Sequence, residues 1–545
     1  MKNYVVVVAD RIADAGLRVL QGVPEFEVVA IAGSPERLSQ ELERAHALIV
    51  RSDTQVTEHA IAGASHLLVV GRAGTGVDNI DVPAATRRGI AVLNAPGANT
   101  VSASEHAIAL LFALVRRIPW AASSMKEGRW DRKRFAGTEL SGKRLGLVGL
   151  GRVGMRVAST ARTLGMKVAA HDPYLPEERA KELNIALLPL EELLASVDVV
   201  SLHLPLTEKT HQLINGERLA LMKPGAVLIN TARGGLIDDR ALLEAIERGG
   251  LAGAALDVFD PEPLPEDSPL RASERILLTP HLAASTSEAQ DRVAVEICSY
   301  VRDALLTGAL SGAVNLPGVP SDMLGRLADT LELARRLGRL AAALARHPVS
   351  GIEVLYGGTD EATPKPAMLA AVEGLLSAMG VERVSLVNAA ERARQRGIST
   401  SRRVGAAVPG FETTIGVTIT MEERSLTVEG AMLGSQVGRV IAIDRFTVDV
   451  PAEGNMVVLW NRDVPGVIGR VGSLLGDANV NISSYHQSRR AAAGSEALAA
   501  IVVDQAPAEP VLSGLAALDD VIDVRLARLN GVAYPTRRSH EVPWL

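Results

Sequence analysis

A chain of 545 residues is too long for one hydrophobic core, and ordinary domain sizes imply about three or four units. Apolar residues make up 47% and charged residues 22%, the balance of a folded chain and not a disordered one. Aromatics are only 3% and the formal net charge is −6, so the composition argues against a base-stacking surface and against any global attraction to phosphate backbones.

Cys298 is the single cysteine, which excludes an internal disulfide or a multi-cysteine metal site and makes a reducing compartment the expectation. The start, Met1-Lys2-Asn3-Tyr4 followed by Val5 to Val8, lacks the charged, apolar and small-residue order of a signal peptide and reads as a buried strand. No uninterrupted apolar run reaches the ~18 residues of a membrane span. The expected location is the cytoplasm.

From Val5 to about Asn94, short β-rich runs (Val5–Ala9, Ala47–Val50, Leu67–Val70, Ala91–Leu93) alternate with helical stretches, the mark of a parallel sheet covered on both faces. Asn99-Thr100 opens a long apolar helix, Ser102 to Val115, with Asn or Thr as its cap. Gly128-Arg129-Trp130-Asp131-Arg132-Lys133-Arg134-Phe135 is a basic cluster in an acidic chain, for which a solvated surface run or a nucleic-acid patch is the plain reading.

A second α/β series begins at Leu145, with strands expected at Leu145–Val148, Lys167–Ala170, Val197–Leu202, Ala226–Asn230, Leu251–Val258 and Ile276–Leu278. The first feeds Gly149-Leu150-Gly151-Arg152-Val153-Gly154, and Met155 to Leu164 reads as the helix behind that loop. Two glycines let the backbone turn and approach a pyrophosphate, while the third lets helix and strand pack closely. The helix N-terminus offers free N–H groups to the anion. The next strand ends at Asp172, where an acceptor for ribose hydroxyls belongs; its charge would repel a 2′-phosphate, favouring NAD over NADP.

Three polar residues follow later strands: Arg233 after Asn230-Thr231-Ala232, Glu262 in Asp260-Pro261-Glu262-Pro263, and His281 after Thr279-Pro280. Oxidising a hydroxyl needs a base near neutral pKa, which suits His281. A carboxylate such as Glu262 would orient the imidazole and stabilise its protonated form. A guanidinium such as Arg233 can hold a substrate carboxylate through two parallel hydrogen bonds.

Past His281, a helix over Ser287 to Leu306 is expected to return to the first unit, ending near Asn315-Leu316-Pro317. Pro317-Gly318-Val319-Pro320 marks a boundary. The next stretch reads as helix (Leu324 to Leu344) and then β-rich runs (Thr414–Thr420, Ser425–Gly430, Val437–Asp449). A last unit opens with a strand (Asn455–Trp460), the turn Asp463-Val464-Pro465-Gly466, a helix and a strand (Val480–Ser484), in ferredoxin-like order. The expected class is α/β: two doubly wound, Rossmann-like parallel-sheet domains, the second inserted in the first, plus an α+β intervening domain and a ferredoxin-like one. The expected bounds are 1–98 with 283–316, 99–282, 319–452 and 454–528, with a tail over 529–545 to which no role is assigned.

The stretch Gly149 to His281 resembles the D-2-hydroxyacid dehydrogenase family, and residues 4 to about 527 are similar to its long, four-domain, phosphoglycerate-oxidising form. Ser201-Leu202-His203-Leu204-Pro205-Leu206-Thr207, Asn230 to Gly235, Glu262-Pro263 and Pro280-His281 carry the likeness with the glycine loop. It implies His281 as acid/base, Glu262 as its partner and Arg233 as substrate clamp. It implies NAD contacts at Gly149, Gly151, Arg152, Val153, Gly154, Asp172, Thr207, Ala232 and Asp257, the last two at the nicotinamide amide. The loop Gly71-Arg72-Ala73-Gly74-Thr75-Gly76-Val77-Asp78-Asn79, with Arg51, Ser52 and Asn99, resembles the substrate-binding positions of the phosphoglycerate enzymes, and Asp53 departs from members with a further basic residue there. By the same likeness Arg132 and Arg134 belong to an arm that crosses a homo-oligomer interface toward the substrate phosphate.

Asn455 to Leu526 resembles an ACT domain, which implies an amino-acid effector, L-serine, at Asn461, Asp463 and Asn481; Asn461 stands where relatives often carry His or Tyr. Residues 320 to 452 resemble the long form's intervening allosteric domain, with Arg439 and Arg445 at an anion site. The expected reaction is NAD-dependent oxidation of 3-phosphoglycerate to 3-phosphohydroxypyruvate, the first step of L-serine synthesis. Two alternatives stand beside it: a glyoxylate or hydroxypyruvate reductase, and an NAD-sensing binding protein of the corepressor kind.

Overall fold

The computed structural model describes residues 4–32, 34–316, 327–422, 424–434, 437–489 and 495–530. They form two compact units, one of Pro96–Ala294 and one of Met1–Ala95 with Val295–Leu545. The boundary signal at Pro317 to Pro320, the start of the stretch read as 319–452, and the tail from 531 lie outside the described residues.

The first sheet contains β1 (Tyr4–Val8), β2 (Phe26–Ala30), β3 (Ala47–Val50), β4 (Val69–Arg72) and β5 (Ala91–Asn94), all parallel, in the order β2-β1-β3-β4-β5. β3 and β5 are buried at every position, as a doubly covered parallel sheet requires. The helix Ser287–Thr307 lies directly on β4, since a Cβ on Gly71 would come within 2.8 Å of Val301 Cγ2. The returning chain is tied to β5 by Asn315: its Oδ1 accepts from Val92 N–H at 3.0 Å and its amide donates to the Ile90 carbonyl at 2.9 Å.

The second sheet comprises β6 (Arg144–Val148), β7 (Lys167–His171), β8 (Ala186–Leu187), β9 (Val199–Leu202), β10 (Ala226–Asn230), β11 (Leu251–Leu256) and β12 (Ile276–Leu278). Its order, β12-β11-β10-β9-β6-β7-β8, is doubly wound and reverses between β6 and β9. The apolar helix runs Thr100–Val115; Asn99 stands at its cap, but neither Asn99 nor Thr100 closes it through a side-chain hydrogen bond there. Leu110, Leu111 and Leu114 of this helix join Leu145, Leu147 and Val157 in one core.

The third sheet holds β13 (Gly351–Gly357), β14 (Ser399–Gly405), β15 (Thr414–Thr420), β16 (Ser425–Leu433), β17 (Val437–Ile443) and β18 (Phe446–Pro451), in the order β14-β13-β15-β16-β17-β18. The run expected as one strand from Val437 to Asp449 is a hairpin, because Asp444 takes a left-handed φ of 53° and breaks it. Behind it the helices Ala328–Leu344 and Pro364–Ala378 press backbone to backbone: a Cβ on Gly374 would lie 1.9 Å from the Arg335 carbonyl oxygen.

The fourth sheet is antiparallel: β19 (Asn455–Arg462), β20 (Ile482–Arg489), β21 (Glu496–Val503) and β22 (Val521–Arg528), in the order β20-β21-β19-β22. With the helices Val467–Asp477 and Glu509–Ala516 it makes the ferredoxin-like pattern. Among the described residues no single helix is long and apolar enough to cross a membrane.

Candidate active site

In the seven-stranded sheet the candidate residues lie beyond strand C-termini, the edge at which parallel sheets bind ligands. Gly149 follows β6 with φ +93°, and a Cβ there would lie 2.4 Å from the His203 carbonyl oxygen beyond β9. A Cβ on Gly154 would be equally close to the Gly149 carbonyl oxygen. Gly151 differs: nothing lies within 4 Å of its Cβ position. It caps the helix Arg152–Thr163, which starts earlier than the expected Met155, so Arg152, Val153 and Gly154 form the first turn and present unpaired N–H groups to that open space.

Asp172 follows β7; its Oδ2 accepts from Leu150 N–H at 2.8 Å and its Oδ1 from Tyr174 N–H at 2.9 Å, so this carboxylate also steadies the glycine loop. Burial lowers the pKa of the half-buried His203 to about 4, so it adds no charge beside the loop. Thr207 lies in an exposed turn, its Oγ1 3.0 Å from Thr210 Oγ1. Open backbone donors at the glycine loop and a carboxylate at the end of the next strand fit NAD.

Three turns supply the polar cluster. Glu262 is fixed at both oxygens: Oε1 accepts from Phe259 N–H at 3.0 Å and Oε2 lies 2.8 Å from His281 Nδ1. Burial raises the Glu262 pKa, but these two hydrogen bonds outweigh it and hold the carboxyl below its usual range. An ionised Glu262 accepts, so Nδ1 carries a proton, and the neutral imidazole then has its lone pair at Nε2. Arg233 donates from Nη1 to the Ala232 carbonyl at 2.6 Å, and its positive charge further lowers Glu262. A Cβ on Gly234 would fall 2.0 Å from the Phe259 carbonyl oxygen, so the turns carrying Arg233 and Glu262 touch backbone to backbone.

His281 has a left-handed φ of 53°, a conformation a non-glycine residue keeps only where its surroundings over-determine it. Asp257 does this. Its carbonyl accepts His281 N–H at 2.9 Å, Oδ1 accepts Leu282 N–H at 2.8 Å and Thr279 Oγ1–H at 2.6 Å, and Oδ2 accepts Ala283 N–H at 2.9 Å. His106 Nε2 stands 3.1 Å from Asp257 Oδ1. The Asp257 side chain is 0% exposed, so a nicotinamide contact there needs one of these bonds to open; in this structure the carboxylate is a clamp on the histidine turn. His106 went unnoticed in the sequence, where the only signal is a lone imidazole on an apolar helix.

On the five-stranded sheet, Arg51 and Arg72 sit at the C-terminal ends of neighbouring strands, with Val50 paired to Arg72. Asp10 Oδ2 accepts Arg51 N–H at 2.5 Å, and the Asn79 amide donates to the Arg51 carbonyl at 2.8 Å, so Asp10 and Asn79 shape this loop. Ser52 Oγ donates to Asp53 at 3.1 Å. The Arg72 guanidinium lies across Gly74, where a Cβ would overlap Nη1 at 1.4 Å. In the basic arm Arg132 is exposed, while Arg134 pairs with Glu274 at 3.1 Å.

One expectation is corrected. Asn461 is not in the first turn of the last unit but inside β19, paired with Ala497 and Val521; it has no exposed surface, so an effector has no access to it. Asp463 and Asn481 do lie outside the strands, engaged with Arg489 at 3.2 Å and Asp504 at 2.7 Å. Arg439 donates from Nε and Nη2 to the side chain and carbonyl of Asp449 on the next strand. Arg445 lies in the β17–β18 turn.

Residues 108–283 match the D-isomer specific 2-hydroxyacid dehydrogenase NAD binding domain, 326–444 the D-3-phosphoglycerate dehydrogenase intervening domain, and 455–520 the ACT domain. The chain is 43% identical to the D-3-phosphoglycerate dehydrogenase of Synechocystis sp. over 96% of its own length and 94% of that protein's. It is 38% identical to the Bacillus subtilis enzyme of the same name, over 96% and 99%. A glyoxylate reductase structure from Paecilomyes thermophila superposes with a TM-score of 0.52 at 30% identity, covering 58% of this chain and 99% of that one. The chain belongs to the D-3-phosphoglycerate dehydrogenase family, within the D-isomer specific 2-hydroxyacid dehydrogenases.

Proposed function

We propose that this chain oxidises 3-phosphoglycerate to 3-phosphohydroxypyruvate, the entry step to L-serine. The observation that carries the chemistry is the His281–Glu262 pair, 2.8 Å apart, which leaves the imidazole Nε2 as a base. That nitrogen takes the proton of the substrate's 2-hydroxyl, and Glu262 stabilises the imidazolium that forms. Arg233 holds the substrate carboxylate and sets the carbon to be oxidised. Bound NAD, cradled by Gly149, Gly151 and Gly154, supplies the hydride acceptor. Arg51, Ser52, Arg72, Gly74 and Asn99 would complete the substrate contacts, with Arg132 and Arg134 lending charge to a phosphate across a homo-oligomer interface. The match to the Synechocystis relative over 96% of this chain supports the phosphorylated substrate, as do the intervening and ACT matches, which a reductase of dehydrogenase-core length does not carry. L-serine would act at the last unit through Asp463 and Asn481, without Asn461.

The test follows NADH formation with 3-phosphoglycerate against D-glycerate and D-lactate, with and without L-serine. A strong preference for the phosphorylated acid is expected; equal rates, or a preference for glyoxylate in the reverse direction, would sink this substrate.

A further inference from the structure

A second cluster of charge lies among the helices behind the six-stranded sheet. Arg335 Nε is 3.1 Å from Glu373 Oε1, and the two side chains are 8% and 6% exposed. Glu373 Oε2 is buried and accepts no hydrogen bond, a costly state for a carboxylate. Beside the pair is a cavity of about 90 Å³ whose lining includes Glu373, Arg335, Arg88, Arg383 and Ser385. Arg88 donates from Nη2 to the Ala62 carbonyl at 2.6 Å, yet its Nε is buried without an acceptor. Burial first, and then repulsion from Arg383, lowers the Arg88 pKa, so these guanidiniums sit close enough to strain one another.

At roughly 10–15 Å³ per water-sized atom, the cavity has room for about six to nine non-hydrogen atoms. A bare anion would satisfy Arg88 but add charge beside Glu373. A bare cation would suit Glu373 but meet two guanidiniums. A molecule with a carboxylate and an ammonium a few ångströms apart answers both demands. We propose that this cavity binds a small α-amino acid, its carboxylate on Arg88 and Arg383 and its ammonium on Glu373 Oε2. The proposal does not depend on which hydroxy acid the enzyme oxidises. The cavity straddles a tight junction: Ser385 Oγ donates to the Gly89 carbonyl at 2.8 Å, and a Cβ on Gly89 would lie 2.8 Å from the Arg383 carbonyl oxygen. An occupant therefore ties the turn after the helix Val82–Arg87 to the segment after the helix Pro364–Ala378.

Isothermal titration of the full chain with glycine and L-alanine, against acetate and ethylammonium at equal ionic strength, tests this. Both amino acids should bind and neither half-molecule should. Glu373→Gln should weaken binding at least tenfold, and so should Arg383→Asn, chosen because Asn tolerates the left-handed φ of 54° there. NADH binding should be the same throughout. The proposal is overturned if neither amino acid binds, if acetate binds as well as glycine, or if both cavity variants retain the binding of the parent chain. Should Glu373→Gln fail to fold, Arg383→Asn on the exposed rim decides alone.

Discussion

Two carboxylates, each paired with a nitrogen group at nearly equal distance, behave in opposite ways. His281 and Glu262 are 2.8 Å apart with 44% and 37% of their side chains exposed, and Glu262 stays below its usual pKa range. Arg335 and Glu373 are 3.1 Å apart with 8% and 6% exposed, and there burial outweighs the neighbouring guanidinium and pushes Glu373 up. Distance does not separate them; solvent does. The partners differ as well. An imidazole exchanges a proton near neutral pH, whereas a guanidinium keeps its own, so only the first pair can do acid–base work.

The strongest way to break that contrast is at the open pair. His281→Ala should lower kcat by about 10²–10⁴-fold, the usual weight of a general base, while NADH binding followed by fluorescence changes little. Turnover within a few-fold of the parent would remove His281 from the chemistry. Next comes the closed pair. Glu373→Leu removes one of the two carboxylates on Arg335, the other being Glu332 at Nη1, and should cost about 1–3 kcal/mol in denaturant unfolding, most of it regained in the double variant with Arg335→Met. A cost of under ~1 kcal/mol for the single change would mean that water reaches the pair. Glu262→Gln should act more mildly, lowering kcat by roughly 10–100-fold because the partner that fixes the His281 ring at Nδ1 loses its charge, with KM for 3-phosphoglycerate little changed. A fall in affinity with kcat intact would remove Glu262 from the proton transfer.

What could be read from the sequence follows how local each interaction is. The glycine loop was legible because each glycine answers a demand of its own turn, though only the structure separates the two that have no room for a Cβ from Gly151, which faces open space. Arg233, Glu262 and His281 were legible as polar residues ending apolar strands. The clamp was not, because His106 and Asp257 are 151 residues apart and only the packed helix brings them together. Asn461 lies just past the expected strand end at Trp460, and pairing with β21 and β22 carries it, with Arg462, into the sheet. β14 was missed because its Ser-Thr-Ser-Arg-Arg run is an exposed edge without an apolar alternation.

A third carboxylate sharpens the comparison by having burial and no cation. Asp239 opens the helix Asp239–Glu247 behind the Arg233 turn, and burial, then the charges of Asp238 and Asp260, raises its pKa to about 6 from 3.8. The folded state therefore holds this proton more tightly than the unfolded chain does. Stability from this group is greatest below about pH 4 and is lost as pH rises through about 6. Asp239→Asn removes the penalty while Asp238 keeps its capping bond to Ala241 N–H at 3.0 Å. Discounted for its partial exposure, the gain should be about 1 kcal/mol above pH 7 and fade toward pH 4, read by urea unfolding across that range. A gain that is flat with pH would point to a packing effect of the amide. No gain at all would mean that solvent screens Asp239 as freely as it does Glu262, and burial alone would then not explain why Glu373 differs.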